Sequence, residues 1–330
     1  MKKVFIGVDI SKNTLDISLC YGETKEMIES FQVPNTLKGI DHFIQKIRKH
    51  SSLKNSWICF EHTGNYGFLL AHKLDMIQAC YSVVPAVEIK NSQGLTRGKN
   101  DIIDAQRIAL YAATNVHKLR VSKLPVVPLM EIKHFLTHRD LLVRTATGFK
   151  NHLKSLLVSQ QVVDLSDIID STRNQVDLLT KRIQQIEKQI EELIYQDDDI
   201  KRNYELATSV IGVGLQIATQ MILCTHNFTT FNNPRKFNCY SGLAPFENSS
   251  GISIRGKTKT SQWRNKTMKK LLFNGAYSAT RYDRQIAKYY QRKIKEGKAK
   301  QSVINAVACK IVYRVFAVVK RGEPYIKLAF

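Results

Sequence analysis

Long hydrophobic runs are absent from this sequence of 330 residues. No stretch approaches the roughly 18 consecutive apolar residues that a membrane-spanning helix needs. The apolar run near the start is short and ends at Asp9, so it predicts a β-strand and not a secretion signal. These absences exclude a membrane protein and favour a cytoplasmic one.

Cysteine is sparse, and its positions are far apart. No two cysteines have the close spacing that zinc sites and redox motifs use. We therefore expect reduced, mostly buried thiols and no cysteine-based metal site. The six cysteines are Cys20, Cys59, Cys80, Cys224, Cys239 and Cys309.

Acidic residues are scarce in the C-terminal part of the chain. Residues 201–330 contain 24 Lys and Arg against 5 Asp and Glu, and the whole chain has a net charge of +22. Such a one-sided excess repels itself and is typical of proteins that bind polyanions, above all nucleic acids. The alternative is a basic surface that is merely solvated.

Glycine and proline are almost missing between residues 129 and 196, which predicts long helices. Apolar residues there alternate steps of three and four, the pattern of a coiled-coil seam. The seam comprises Val176, Leu179, Ile183, Ile186, Ile190 and Leu193, and an earlier helix carries Leu142, Phe149 and Leu156 seven apart. The two helices could form an intramolecular hairpin or a contact between protomers of a homodimer or homotetramer. The acids Asp197–Asp199 that follow predict a solvated linker.

The first 125 residues alternate strand and helix patterns and predict a mixed α/β sheet covered by helices. The predicted strands are Val4–Asp9, Thr14–Tyr21, Glu26–Gln32, Trp57–Glu61 and Cys80–Val84. Helices are predicted over Leu37–Lys49 and Phe68–Met76.

Four carboxylates stand at positions that could bring them together. Asp9 and Glu61 end predicted strands, at the edge where open α/β sheets build their sites. Asp101 and Asp104, in RGKNDIIDA, are three residues apart and would share one face of a helix. Either they belong to an N-terminal helix cap, with Asn100 or Asp101 as the capping residue, or a cation lies between them. Oxygen-only ligands suit Mg²⁺ or Mn²⁺, and two such ions can activate both the attacking and the leaving oxygen of a phosphodiester.

A basic segment follows Pro245, and its serines Ser249 and Ser250 are predicted to lie in a turn before Gly251. A serine there is ordinarily a turn residue, but cations around it could let it attack a phosphodiester. The cations predicted to contact nucleic acid are Arg255, Lys257, Lys259, Arg264, Lys266, Lys269 and Lys270.

Several motifs together resemble one family. GVDIS, CFEHTGNYG, GKNDIIDA, GLAPFENSSG and NKTMKKLL follow one another in an order and spacing that resemble the insertion-sequence-110 transposases. These are DEDD transposases whose recombination is guided by a structured bridge RNA. One departure is Gln262-Trp263-Arg264, which stands where the family has a Lys-Arg-Gly run.

The resemblance implies a ribonuclease-H-like domain of the Holliday-resolvase type over residues 1–125. It further implies a helical coiled-coil segment over 126–200 and a mainly α-helical transposase domain with a catalytic serine over 201–330. By this resemblance, Ser250 is the nucleophile and Ser249 the reserve candidate, and the metal ligands, which would hold Mg²⁺ or Mn²⁺, are Asp9, Glu61, Asp101 and Asp104.

The partners implied are the DNA of the element ends and target, a guide RNA, and further protomers that combine acids and serine from different chains. The expected setting is the nucleoid of a bacterium or archaeon. Two other functions stay open from the residues alone. One is a junction-resolving nuclease in which metal-bound water attacks and no covalent intermediate forms; the other is a non-enzymatic nucleic-acid packaging protein.

Overall fold

The computed structural model describes residues 4–62, 64–92, 100–231, 233–250 and 254–326, and it describes only the backbone of 247–250 and 254–259. The chain divides into two compact units, residues 1–124 and 125–330. The predicted helical segment 126–200 lies within the second unit. The division into three domains stays a prediction.

The first unit is built on a five-stranded mixed sheet. Its strands in chain order are β1 (Val4–Ile10), β2 (Thr14–Tyr21), β3 (Met27–Pro34), β4 (Ser56–Glu61) and β5 (Tyr81–Val84). Its helices are α1 (Leu37–His50), α2 (Phe68–Met76), α3 (Ala86–Asn91) and α4 (Asp101–Thr114). The spatial order is β3-β2-β1-β4-β5, in which β2 is antiparallel to both neighbours and β1, β4 and β5 are parallel. The predicted mixed sheet is confirmed, and its topology is the ribonuclease-H-like one.

Each face of this sheet has its own apolar layer, because successive side chains of a strand point to opposite faces. One face packs Ile6 and Val8 of β1 against Phe43 and Ile47 of α1, and α2 joins the same cluster. Thr36 begins α1, where its hydroxyl accepts a hydrogen bond from the Gly39 amide at 3.2 Å.

Helix α4 covers the opposite face of the sheet. Phe5, Cys20 and Cys59 form an apolar cluster there with Ile108 and Ala109 of that helix. Residues 5, 7 and 9 of β1 alternate onto this face. The helix that begins with two of the predicted metal ligands is therefore the one that covers the Asp9 side of the sheet.

The second unit begins with a helical hairpin of α5 (Val127–Ser159) and α6 (Ser166–Tyr195). Ile132 and Leu136 of α5 share a buried cluster with Ile186 and Ile190 of α6. Each of the nine predicted seam residues on the two helices is partly or fully buried. Within one chain, the intramolecular hairpin is thus the arrangement observed, and a contact between protomers stays a prediction.

The remaining elements are α7 (Asp198–Thr208), α8 (Leu215–Cys224), α9 (Pro234–Tyr240), β6 (Pro245–Ser250), β7 (Ile254–Thr260), α10 (Lys266–Tyr282), α11 (Arg284–Lys295) and α12 (Lys300–Arg321). The prediction of a solvated linker at Asp197–Asp199 is wrong. Asp197 caps α7 by accepting a hydrogen bond from the Ile200 amide at 2.9 Å, and the next two acids lie in the first turn, where the helix dipole favours them.

Helix α12 is the one described helix that is long and apolar enough, by length and composition, to cross a membrane. Half of its most apolar window is buried within the protein, and core helices pass the same test. Val307, Ile311 and Val315 are fully buried in the main cluster of this unit. The helix also carries Lys310 and Arg314, and we describe it as the core helix of its unit.

Candidate active site

Asp9 and Glu61 leave neighbouring parallel strands at the same level. In the register of β1 and β4, Val8 is the partner of Phe60, so the next residue on each strand is one of the two acids. By strand alternation, both lie on the face that carries Gly7 and α4. The structure therefore brings together two carboxylates that are 52 positions apart in the sequence.

The start of α4 adds the other two acids to this edge. Asn100 is the N-cap, and its side chain accepts a hydrogen bond from the Ile102 amide at 3.2 Å. Asp101 and Asp104 lie in the first turn; Asp101 is exposed and Asp104 is half-buried. Because Asn100 does the capping, neither carboxylate is needed for it. Arg97–Lys99, which precede the helix in the motif, lie outside the described residues.

The four acids are close enough to affect one another electrostatically. Burial raises the pKa of Asp9, and the negative charges of Asp104 and Asp101 raise it further. Burial likewise raises the pKa of Glu61, with added repulsion from Asp9 and Asp104. Mutual repulsion of this kind is what a bound cation relieves.

A fifth carboxylate, Asp16, was missed by the motif analysis. It is the antiparallel partner of Asp9 on β2, only 2% exposed, and it accepts a hydrogen bond from Gln32 Nε2 at 2.9 Å. Burial raises the pKa of Asp16, and the charge of Asp101 adds to this shift. The signal that could have found it is the hairpin register, since pairing β1 with β2 sets the two aspartates opposite each other.

Arg107 is a second residue that the sequence analysis did not single out. It lies one turn after Asp104 on α4, and its Nη1 is 2.8 Å from Asp104 Oδ1. The pair offsets part of the negative charge at the edge of the acidic group. Arg107 was not recognisable from its motif, because an arginine at that spacing is also an ordinary surface pair of a helix.

The donor set fits a divalent cation by its chemistry. All the converging side chains supply carboxylate oxygen, the ligand that Mg²⁺ and Mn²⁺ prefer. Within the described residues, no group of three or more His, Cys, Asp or Glu side chains stands ready-made in metal-binding geometry. The acids of α4 and of the sheet would therefore adjust their rotamers to share an ion.

The two candidate serines are the last residues of β6. In the antiparallel pairing of β6 with β7, Ser249 is the partner of Arg255 and Ser250 that of Ile254. The prediction that these serines lie in a turn is wrong, since both have strand backbone and the chain reverses after them. Arg255, Lys257 and Lys259 belong to β7. The side chains of these three residues and of the two serines lie outside the described part of the structure.

The cations after this hairpin fall into two groups. Lys269 turns inward, where its Nζ donates to the Gly242 carbonyl at 2.8 Å and to Thr260 Oγ1 at 3.3 Å. Burial lowers the pKa of Lys269, and nearby Arg264 lowers it further. Lys266 and Lys270 are exposed at the start of α10. These two are the better placed to contact a polyanion.

Similar proteins span nearly the full length of the chain. Pilin gene-inverting proteins of Moraxella bovis and Moraxella lacunata are each 26% identical over 99% of this chain and 99% of their own. An uncharacterised 43.6 kDa protein of insertion element IS110 from Streptomyces coelicolor is 29% identical, over 36% of this chain and 29% of its own.

Among solved structures, the chain is similar to T. thermophilus RuvC in complex with a Holliday junction substrate. That match has a TM-score of 0.29 and 8% identity, and it covers 36% of this chain and 99% of the other. The ribonuclease-H-like assignment made above therefore depends on the observed strand order and not on this match.

Two family models match in succession along the sequence. A DEDD transposase model of IS110 matches residues 6–162, and a model described as the IS116/IS110/IS902 transposase family matches residues 204–291. The first spans all four acidic candidates, and the second spans both serines. The protein thus belongs to the IS110 family of transposases, and it is a DNA transposase or recombinase.

Proposed function

We propose that this transposase cuts and rejoins DNA through a serine hydroxyl, with a divalent cation held by the acids of the first unit. The observation that carries the proposal is the register of β1 and β4, which sets Asp9 beside Glu61 on the face covered by α4. Few structural reasons exist to gather acids in a chain of net charge +22, whereas a metal-assisted reaction on DNA requires them.

In the proposed reaction, the Ser250 hydroxyl gives up its proton and attacks a DNA phosphorus. A bond forms between Oγ and phosphorus, the bond to the bridging DNA oxygen breaks, and that oxygen leaves as a hydroxyl. In the reverse direction, a hydroxyl on another strand attacks the phosphoserine, which releases the serine and joins the strands. No external energy source is needed, because one phosphodiester replaces another.

Asp9, Glu61, Asp101 and Asp104 would hold Mg²⁺ or Mn²⁺. A bound ion would stabilise the charge that develops on the phosphate oxygens as phosphorus becomes pentacoordinate. Asp16, held by Gln32, lies beside Asp9 on the neighbouring strand and would add its negative charge to the group that holds the ion. Arg107 would restrict the Asp104 side chain through their ion pair of 2.8 Å.

The names of the full-length relatives favour rejoining over simple cutting. They are described as gene-inverting proteins, and inversion of a DNA segment requires that both new junctions be sealed. A nuclease that uses metal-bound water has no means to conserve the phosphodiester energy. We therefore favour the covalent recombinase over the junction-resolving nuclease.

Base pairing to a guide RNA is the proposed source of target choice. The C-terminal excess of 24 Lys and Arg over 5 Asp and Glu fits a protein that holds phosphate backbones, with Lys266 and Lys270 among the exposed contacts. Protein purified from its native host would retain a specific structured RNA, which sequencing identifies. Recovery of only bulk cellular RNA would contradict this part of the proposal.

The nucleophile is tested by trapping a covalent protein–DNA adduct on a denaturing gel, with DNA that carries the element ends. The unaltered protein and a Ser249→Ala variant should form the adduct, and Ser250→Ala should not. Loss in the Ser249 variant alone would move the role to Ser249. Cleavage without an adduct in any variant would contradict the covalent mechanism and establish the nuclease.

A further inference from the structure

A cleft between α11 and α12 in the second unit is lined by basic and aromatic side chains. It has a volume of about 600 Å³, within the range of pockets that hold one small ligand. The lining residues that matter here are Lys288, Tyr289, Arg292, Lys310, Tyr313 and Arg314. None of them is acidic, and none belongs to the predicted metal site or to the serine hairpin.

Helical spacing explains how the cations face one another across the cleft. Lys288 and Arg292 are one turn apart on α11, and Lys310 and Arg314 are one turn apart on α12. Within the described residues, Lys288 and Lys310 have no acidic side chain at ion-pair distance, and both are exposed. The four cations of the cleft therefore carry more positive charge than the acidic side chains beside them neutralise.

Two of these cations form ion pairs with acidic side chains. Arg314 Nη1 is 2.6 Å from Asp283 Oδ2, and that aspartate is nearly fully buried, so the pair anchors α12 to the start of α11. Arg292 is 3.7 Å from Glu296 in an exposed pair. Arg314 is thus structural, whereas Lys288 and Lys310 are available to a ligand.

Two tyrosine rings line the same cleft, and cations lie over one of them. Lys310 Nζ lies 4.6 Å from the ring centroid of Tyr289, and Arg292 Cζ lies 5.8 Å from the same centroid. Tyr313 is 42% exposed on the α12 side. An aromatic face flanked by cations is the arrangement with which proteins stack an unpaired base and hold its phosphate.

We propose that this cleft binds one unpaired nucleotide of a single-stranded nucleic-acid segment. The base stacks on the exposed ring of Tyr313, and the adjoining phosphates contact Lys288 and Lys310, the second of which the Tyr289 ring positions. A duplex keeps its bases stacked inside the helix, so it would meet the lysines but not the ring faces. The carboxylates of an acidic peptide would satisfy the lysines but would not stack on the ring. The inference depends on the proposed function only in that the chain acts on nucleic acid.

The test measures binding of fluorescent oligonucleotides by anisotropy, with a chelator present so that metal-dependent chemistry does not contribute. Single-stranded RNA, single-stranded DNA and duplex DNA of equal length are compared. Tyr313→Ala should weaken single-strand binding about tenfold, as expected for loss of one stacked base. Tyr289→Ala should weaken it less, through the displaced Lys310, and both variants should leave duplex binding within about twofold. Lys310→Ala should weaken single-strand binding and reduce its salt dependence by about one phosphate contact.

Three control variants separate the role of the cleft from general effects of the substitutions. Tyr313→Phe keeps the ring and should bind normally, which separates stacking from the hydroxyl. Tyr282→Ala and Lys298→Ala remove an exposed tyrosine and an exposed lysine outside the cleft, and neither should change single-strand binding. Thermal unfolding identifies a variant that fails to fold; since Tyr289 also packs on the core, the exposed Lys310 variant then decides.

The source of the nucleotide follows from the same measurements. An effect on RNA alone assigns the cleft to RNA, an effect on DNA alone assigns it to DNA, and an equal effect establishes a site for either. Unchanged single-strand binding in the tyrosine and Lys310 variants overturns the proposal, as does an equal loss for duplex DNA. Because no cleavage is measured, failure of the serine mechanism would leave this result intact.

Discussion

Gly7 of β1 lies directly against the backbone of Ala105 in α4. A Cβ atom on Gly7 would be 2.1 Å from the Ala105 carbonyl oxygen and 2.3 Å from the Ala109 amide nitrogen. Only glycine lets the helix approach the strand this closely. Since Asp9 follows Gly7 by two residues and Asp104 precedes Ala105, this contact sets the separation of two proposed metal ligands.

Replacing Gly7 by alanine should therefore damage both stability and activity. The added methyl forces α4 away from the sheet, which typically costs about 1–3 kcal/mol for an overpacked site. We expect a lower midpoint of thermal unfolding and loss of the protein–DNA adduct. Gly148→Ala is the control, because nothing lies within 4 Å of the new Cβ on α5. That change should stabilise the helix by roughly 0.5–1 kcal/mol and keep activity.

Neutralising Asp9 should stabilise the metal-free protein while it abolishes activity. The pKa of Asp9 is raised in the folded state above its ordinary 3.8, so folding favours the protonated form. The stability this contributes is present at low pH and is lost as the pH rises through the folded-state pKa. At pH near 7, Asp9→Asn should unfold at a higher temperature than the unaltered protein when a chelator is present.

Two comparisons check the cause of that effect. Mg²⁺ should raise the unfolding temperature of the unaltered protein and have much less effect on Asp9→Asn. Asp177→Asn removes an exposed carboxylate of α6 outside the cluster and should behave like the unaltered protein. If Asp9→Asn is less stable than the unaltered protein without metal, burial of the charge and repulsion among the acids do not dominate the effect.

His226 should make the second unit sensitive to mild acid. Burial lowers the pKa of its imidazole below the ordinary 6.5, and the charge of Lys133 lowers it further. The unfolded chain therefore takes up a proton first, so stability falls as the pH decreases from 6.5 to the lower folded-state pKa.

The variant His226→Asn removes this titration and suits the backbone, which has a φ of 45° that asparagine tolerates well. Denaturant unfolding at about pH 7.5 and about pH 5.5 should show a smaller loss of stability in the variant than in the unaltered protein. The same substitution at His152, an exposed residue of α5, should leave the loss unchanged. Equal losses in all three proteins would contradict the prediction.

The helical hairpin should depend on its buried seam. Ile190→Ala removes a fully buried side chain from the cluster that joins α5, α6 and the C-terminal helices. We expect a loss of about 2–5 kcal/mol in the free energy of unfolding. Leu178→Ala, on the exposed side of α6, should change it by less than about 0.5 kcal/mol at low protein concentration. A large effect of Leu178 would indicate that this side is covered by another protomer.

Much of the first unit could be predicted from sequence because its strands are short, apolar and bounded by turns. Strand β2 and helix α2 have the predicted limits, and the others differ by a few residues at their ends. Helix α3 was not predicted, since six residues after Pro85 leave too little periodicity. Strand β6, with the sequence PFENSS, has little β-propensity and is formed by its pairing with β7.

The candidate site could be predicted only in part, because some of its contacts depend on strand register and on residues distant in the sequence. The motifs identify Asp9, Glu61, Asp101 and Asp104, but Asp16 sits in the apolar pattern of β2, where one acid resembles a solvent-facing residue. Its position depends on the register with β1, which sequence periodicity does not determine. The contact of Lys269 with the Gly242 carbonyl was likewise not predictable, because the two residues lie 27 positions apart.

The sheet order has a consequence for how the enzyme is made in the cell. The acids come from the first strand, the fourth strand and a helix that ends at Thr114, so they are assembled only after all of these have left the ribosome and paired. A nascent chain that stops short of α4 carries Asp9 and Glu61 but lacks Asp101 and Asp104. Under the proposed mechanism, such a truncated copy lacks half of the metal ligands as well as Ser250, so it would be released without the means to cleave DNA.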